Sequence, residues 1–350
     1  AVDPREEYVA CASALASGEA PAREDLRIVL TAMHGVGAAI TSRVLAEAGF
    51  SNVSLVAAQA DPDPDFPTVP FPNPEEAGAL DMAMEQAREE GADLIIAVDP
   101  DADRCALAVP DPTSETGWSP LSGDQIGSLL GEFLASRGMK GSLANSIVSS
   151  RLLSRIASAH GLEHHTTLTG FKWIARAPGL GFGYEEAIGF CPDPGNVRDK
   201  DGIATSVVAA SLVAALKAQG RSVWDELERL ARLHGLHVSS PLTFRVEQIE
   251  QIASGMARLR AQPPSVLAGS PVVEVSDLSQ GYRGLPPTDG VLVLTEAGDR
   301  VIARPSGTEP KLKCYLEVIL PVAEGEPLPW EQARERLDAI KGAFAEIIGL

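Results

Sequence analysis

Arg27–Thr31 (RIVLT) is a short β-branched run that ends in Met33-His34-Gly35-Val36-Gly37 and leads into an apolar helical pattern at Ile40, Val44, Leu45 and Ala48, closed by Gly49. This is the pattern of a strand, a glycine turn and a helix. The phrase returns where a run over 142–147 leads into SRLLSRIASAHGL (150–162), an echo of SRVLAEAGF (42–50). Two related α/β units are therefore expected. Between them lie a Pro/Asp-rich loop (61–74), a helix over 75–90, a strand over 93–98 and a hairpin strand over 105–109. Strands alternating with helices imply an open, largely parallel sheet. The second unit continues through a strand over 164–168, a loop over 169–174, a Gly-rich segment over 179–189 and paired helices over 202–219 and 222–234. Past His234-Gly235 the texture changes to alternating segments at 242–246, Val291–Thr295, 300–303 and 312–318, with helices near 247–261 and 330–347. Alternation with one exposed face belongs to antiparallel sheet, so a terminal α+β domain is expected. The boundaries fall near 137 and 237.

A chain of 350 residues is too long for one ordinary core, because domains cluster near about 100–150 residues. The balance of 29 Lys+Arg against 48 Asp+Glu leaves a net charge of −19. A surface that acidic repels phosphate backbones, which argues against nucleic acid and anionic membrane as partners. The 4 cysteines form no CxxC pair, so neither a disulfide framework nor a zinc site is expected, and a reducing cytoplasm fits best. The apolar stretch over 8–17 follows Asp3, Glu6 and Glu7, where a signal peptide would carry basic residues. The longest apolar run, over 207–216, is well short of the roughly 20 residues of a membrane span. The sequence opens at Ala1 inside a helical phrase, so a further upstream segment is expected.

The phrase LIIAVDPDADRCALAV (94–109) carries the strongest chemistry. An apolar strand delivers Asp99, Asp101 and Asp103 at spacing two, which in extended chain projects all three carboxylates to one side. Three adjacent negative charges repel unless a cation sits among them, and oxygen-only ligation selects a hard ion such as Mg²⁺. An EF-hand is excluded, since the sixth position from Asp99 is Arg104 and the twelfth is Pro110. Arg104 beside such a metal suits a phosphate oxygen.

The turn phrase ARPSGTEPKLKCYLEV (303–318) offers the guanidinium of Arg304, the hydroxyls of Ser306 and Thr308 and the amide of Gly307, with Lys311 and Lys313 beside them. Together these form a receptor for a phosphate dianion. In GFGYEEAIGFCPDPGNVRDKDGIA (181–204), Glu185 and Glu186 are placed to accept hydrogen bonds from sugar hydroxyls, or to serve as a solvated loop, while Arg198, Asp199, Lys200 and Asp201 precede a helix N-terminus that favours anions. In the loop over 169–174, Lys172 is placed to meet phosphate, whereas Phe171, Trp173 and Ile174 read as core. His34 reads as structural, and His164 and His165 have no third ligand nearby.

Taken in order, TAMHGVG, DPDADR, LSGDQIG (121–127), LTGFKWIA, GYEEAIGF, RDKDG and RPSGTEPK resemble the α-D-phosphohexomutases, the phosphoglucomutases and phosphomannomutases, from about Arg27 to the end. The resemblance implies a fold of related α/β domains followed by a C-terminal α+β domain. This chain corresponds to the second (26–137), third (138–237) and fourth (238–350) domains, with 1–25 as the linker or tail of a first domain. It further implies that Asp99, Asp101 and Asp103 hold Mg²⁺, that Arg104 lies beside the transferring phosphoryl group and that Glu185 contacts sugar hydroxyls. Thr169, Gly170, Lys172, Ala187, Arg198 and Lys200 would line the sugar phosphate, and Arg304, Ser306, Gly307 and Thr308 would cradle its unreacting phosphate.

Two departures matter. Many relatives carry Ser where Ala187 stands, and the family's phosphorylated Ser in a T-A-S-H-N-P-like loop has no counterpart here. The implied activity is exchange between hexose 1- and 6-phosphates through an enzyme phosphoserine and a bisphosphate intermediate, by a cytoplasmic monomer or dimer. A phosphopentomutase and a catalytically inactive sugar-phosphate binder are the alternatives. A haloacid-dehalogenase-like phosphatase is disfavoured, because that family needs Thr or Val where Asp103 stands.

Overall fold

The structure is a computed structural model that describes residues 3–306 and 310–349, without the side chains of Ala20 and Pro21. It divides into two compact units, the first made of residues 1–146 and 153–227 and the second of 147–152 and 228–350.

The first unit opens with α1 (Arg5–Ser13) and α2 (Ala20–Asp25), followed by β1 (Arg27–Thr31), α3 (Ala38–Glu47), β2 (Asn52–Leu55), α4 (Asp81–Glu90), β3 (Leu94–Val98), β4 (Cys105–Pro110), β5 (Trp118–Pro120) and α5 (Gly123–Ser136). The strands order β2-β1-β3-β4-β5, the first three parallel and the last two antiparallel. All five residues of β3 (LIIAV) are buried, which is why its sequence runs apolar without alternation. A second sheet follows from β6 (Ser142–Ser146), α6 (Leu152–Ala159), β7 (His164–Thr167), α7 (Phe171–Ile174), β8 (Leu180–Glu185) and β9 (Gly189–Cys191), in the order β7-β6-β8-β9. Here too the first three strands are parallel and the last antiparallel, so the echo between SRVLAEAGF and SRIASAHGL marks two units of one topology.

The first unit is held together by α8 (Gly202–Ala218), which packs against α1, α2, α3, α5 and strands of both sheets. Its Ala, Val and Leu residues face all directions and nearly all are buried, as expected of a helix apolar all round. Among the described residues no single helix is long and apolar enough to cross a membrane. The helix α9 (Val223–His234) carries the chain into the second unit.

That unit is one antiparallel sheet of β10 (Leu236–Arg245), β11 (Val266–Leu267), β12 (Ser270–Asp277), β13 (Val291–Thr295), β14 (Arg300–Pro305) and β15 (Lys311–Leu320), with α10 (Ile249–Ala261) and α11 (Trp330–Ile348). Its strands order β10-β15-β14-β13-β12-β11. One face buries Val293, Val301, Leu312, Leu316 and Val318 under Met256 and Leu259 of α10 and Leu337, Ile340 and Phe344 of α11. A smaller cluster joins Leu278, Leu292 and Ile302 to Ile147 and Val148, which is how the segment 147–152 comes to belong to this unit.

One expectation is changed by the structure. The helix expected from 75 begins at Asp81, because 74–80 closes into successive turns, with Ala79 N bonded to Glu76 O at 3.1 Å and Asp81 N to Gly78 O at 3.2 Å. The Gly-rich 179–189 runs through the β8–β9 hairpin. The segment 3–25 contains α1 and α2, with α1 packed on α3 and α8.

Candidate active site

Strand β3 ends at Val98 and delivers Asp99 into the interior, while Asp101 is exposed and Asp103 half-buried. Oxygen atoms of the three carboxylates lie within 4.8 Å of one another. Extended chain is not what gathers them. The segment turns, with Ala102 N bonded to Asp99 O at 2.9 Å and Ala102 itself at φ 60°, in the left-handed region. The expected period-two projection does not hold here, since a turn reverses the chain that such a projection needs straight.

Nor is the cluster a bare triad. Arg104 donates to Asp99 twice, from Nε at 2.7 Å and from its backbone N at 2.9 Å, and Lys200 Nζ stands 2.9 Å from Asp103. Asp101 makes no hydrogen bond or ion pair with the described residues. Burial pushes the Asp99 carboxyl up, and the Arg104 hydrogen bonds oppose it. Burial alone would pull the Lys200 ammonium down, but Asp103, Asp199 and Glu185 outweigh it and raise it. Of the three carboxylates, Asp101 is the one that no cation among the described residues pairs. The all-oxygen donor set and that unpaired carboxylate fit a hard divalent cation.

Residues of the 181–204 phrase converge on the same place. Cys105 N donates to Ile188 O at 3.1 Å, Arg104 bridges to Gly189, and Asp201 N donates to Phe190 O at 2.8 Å. These bonds join the Asp99–Asp103 turn, the β8–β9 hairpin and the start of α8. Glu185 ends β8, its carboxylate bonded by the Gly170 amide of the loop after β7. Burial and then the neighbouring Glu186 push Glu185 up to about 7, while Lys200 and the Gly170 amide pull the other way. Lys200 also lies over the Phe171 ring, 5.6 Å from its centroid. Thr169 and Ala187 are half-buried beside these groups in sequence, whereas Lys172 and Arg198 are exposed.

Glu185 supplies a direct check. A carbon-detected NMR titration of its carboxyl is expected to show a midpoint near 7, and Lys200→Met should move it higher, because a group that stabilises the carboxylate is removed. A midpoint at the ordinary 4.5 would contradict the buried environment described.

In the second unit Arg304 lies on β14 directly opposite Lys313 of β15, and Ser306 N donates to Lys311 O at 2.8 Å. Like charges facing each other across a strand pair are unfavourable unless an anion relieves them. Gly307 and Thr308 lie outside the described residues.

Several contributors carry no chemistry in their own sequence pattern. Asn73 Oδ1 accepts from Arg104 Nη1 at 3.3 Å, and Ser146 Oγ donates to Glu186 Oε2 at 3.0 Å. The LSGDQIG phrase builds support rather than a ligand: Tyr184 of β8 donates to Asp124 at 3.0 Å, and a Cβ on Gly123 would collide with the Glu186 carbonyl.

Comparison with known proteins places these features in one family. Residues 6–113, 122–233 and 244–325 match the phosphoglucomutase/phosphomannomutase models for α/β/α domain II, α/β/α domain III and the C-terminal domain, and the family's first domain is not found in this sequence. A Haemophilus influenzae protein named "Probable phosphomannomutase" is 46% identical over 295 residues, covering 84% of this chain and 60% of that protein. A Staphylococcus haemolyticus phosphoglucomutase is 36% identical over 325 residues, covering 86% of this chain and 58% of that protein. The chain thus spans about three fifths of these relatives' length. The Paramecium phosphoglucomutase pp63/parafusin shares the fold at a TM-score of 0.73 and 18% identity, over 100% of this chain and 64% of that one.

Proposed function

The chain belongs to the phosphoglucomutase/phosphomannomutase family, and we propose that it supplies the metal, sugar and phosphate sites of an enzyme that interconverts hexose 1- and 6-phosphates. The phosphoserine that donates and recovers the phosphoryl group would come from outside this sequence. The observation that carries the reading is the convergence of Asp99, Asp101, Asp103, Arg104, Lys200 and Glu185 in the first unit.

Each group then has a task. Asp99, Asp101 and Asp103 would hold Mg²⁺, which when bound neutralises charge developing on the phosphoryl oxygens. Arg104, fixed by Asp99, presents its remaining guanidinium nitrogens to the same oxygens. Glu185, near 7, is ionised in part at neutral pH and accepts a hydrogen bond from a sugar hydroxyl. Thr169 and Gly170 shape that wall, Ala187 leaves it one hydroxyl poorer than a Ser, and Lys172, Arg198 and Lys200 add positive charge. Arg304, Ser306, Gly307 and Thr308 take the phosphate that does not react, and a dianion between Arg304 and Lys313 relieves their repulsion.

The test is conversion of glucose 1-phosphate to glucose 6-phosphate. Purified chain alone is expected to give none, because a covalent phosphoryl donor has no substitute among these residues. Supplied with the family's first domain, it should turn over. In that assembly Arg304→Ala should weaken sugar-phosphate binding roughly ten- to hundredfold, matching the about 1.5–3 kcal/mol of charged hydrogen bonds, and leave the unphosphorylated sugar unaffected. Turnover by the chain alone would place the nucleophile here, and no turnover by the pair would sink the reading.

A further inference from the structure

We propose that Tyr8, on the N-terminal helix, is a positioning residue for the metal turn and acts through Asp201. The inference rests on reading Asp99, Asp101 and Asp103 as a cation site.

Tyr8 lies 193 residues from Asp201 in sequence, yet its hydroxyl donates to Asp201 Oδ1 at 2.7 Å. The same oxygen accepts from Ala204 N at 2.9 Å and so caps α8. Asp201 is buried, and burial pushes its carboxyl up, while the Ala204 amide and the Tyr8 hydroxyl stabilise the charged form. Removing either donor leaves a buried carboxylate short of a partner, which costs more than the bond itself contributes.

The residues on both sides of Asp201 touch the metal turn. Gly202 N donates to Ala102 O at 3.1 Å, across the left-handed residue that brings the three carboxylates together. A Cβ at Gly202 would collide with the Arg104 carbonyl and stand 2.8 Å from Ala102 O, so the backbones are in contact and any shift of the α8 start is felt in the turn. On the other side Lys200 holds Asp103 at 2.9 Å. The Asp201 side chain is therefore the fixed point for the backbone that supports Ala102. Tyr8 reaches that fixed point from α1, whose Val9 and Ala12 are buried and which packs on α3 and α8. No packing requirement explains the hydroxyl, since a Phe ring fills the same space.

The experiment is Mn²⁺ binding to the full chain by water-proton relaxation, with melting temperature measured alongside. Outer-shell partners of metal ligands are worth about 10–100-fold in affinity; one step further removed, Tyr8→Phe should weaken Mn²⁺ about three- to tenfold. Hydrogen exchange at the Gly202 amide should accelerate in the same variant. Val9→Ala removes packing from the same helix but keeps the hydroxyl, so it should lower the melting temperature and leave Mn²⁺ affinity unchanged. Equal affinity in Tyr8→Phe and the parent chain would overturn the proposal, as would an equal loss in Val9→Ala, which would assign the effect to packing. A parent chain that takes no Mn²⁺ would overturn the cation reading and this inference with it.

Discussion

Asp101→Ala should abolish divalent-cation binding while leaving the fold intact. Asp99 is occupied by Arg104 and Asp103 by Lys200, so of the three carboxylates Asp101 is the one without a cation partner among the described residues. Replacing it leaves only the two carboxylates that already hold a cation each, and one oxygen ligand fewer. The loss should exceed the about 10–100-fold that outer-shell changes cost, and by calorimetry it should look like no binding at all. Folding should survive, because the side chain is exposed and unpartnered. The competing effect runs through Lys200: Lys200→Met frees Asp103 and should tighten Mn²⁺ several-fold, on the order of the change from removing one competing charge near a partly exposed site. If Asp101→Ala bound Mn²⁺ as the parent does, the cation would have to sit elsewhere, and the role given to Arg104 would fall with it.

The contrast between these two variants shows where sequence reading stops. Asp99, Asp101 and Asp103 were legible because an apolar strand ending in three acids is unusual. That two of them are already paired was not, since Lys200 is about a hundred positions away and its partner is chosen by the β9–α8 connection. Extended-chain projection breaks at Ala102, where the turn needs a left-handed residue and the sequence offers no glycine to announce it. Helix α5 was missed although its start is written plainly: Ser122 and Gln125, three apart, form a capping box before an apolar run. The LSGDQIG phrase reads as a motif, while its work in holding β8 depends on Tyr184 bonding to Asp124, a contact that no sequence pattern announces. Tyr8 could not have been found, because a lone Tyr in a weakly amphipathic helix has no pattern to read. Topology was the most legible part: the SRVLAEAGF and SRIASAHGL echo corresponds to two sheets of matching strand order.

Glu317→Gln should destabilise the second unit more than any surface change in the chain. Glu317 is fully buried on β15, and its carboxylate accepts from Arg151 Nε at 2.6 Å, from Arg151 N at 2.8 Å and from Ser150 Oγ at 2.8 Å, with His237 Nδ1 at 3.1 Å and Arg300 at 3.3 Å. Arg300 in turn donates to the carbonyls of Ile147, Val148 and Ser149. One carboxylate thus ties the segment 147–152 to the sheet. Burial alone would push this carboxyl up, but Arg300, the His237 hydrogen bond and Arg151 outweigh it and hold it well below the usual range. A depressed carboxyl contributes stability that is present above its unfolded value, about 4.3, and that is lost as pH falls toward its folded one. The parent chain should accordingly lose stability below that value, and the Gln variant should lose less over the same interval. At neutral pH the variant leaves Arg300 buried without its counter-charge, for which breaking a buried pair costs about 3–5 kcal/mol. Hydrogen exchange in β14 and β15 should accelerate about a hundredfold or more, while β3 in the first unit keeps its protection. A variant as stable as the parent at pH 7, with β15 equally protected, would mean that the apolar contacts of Ile147 and Val148 with Leu278, Leu292 and Ile302 hold the segment without the charge.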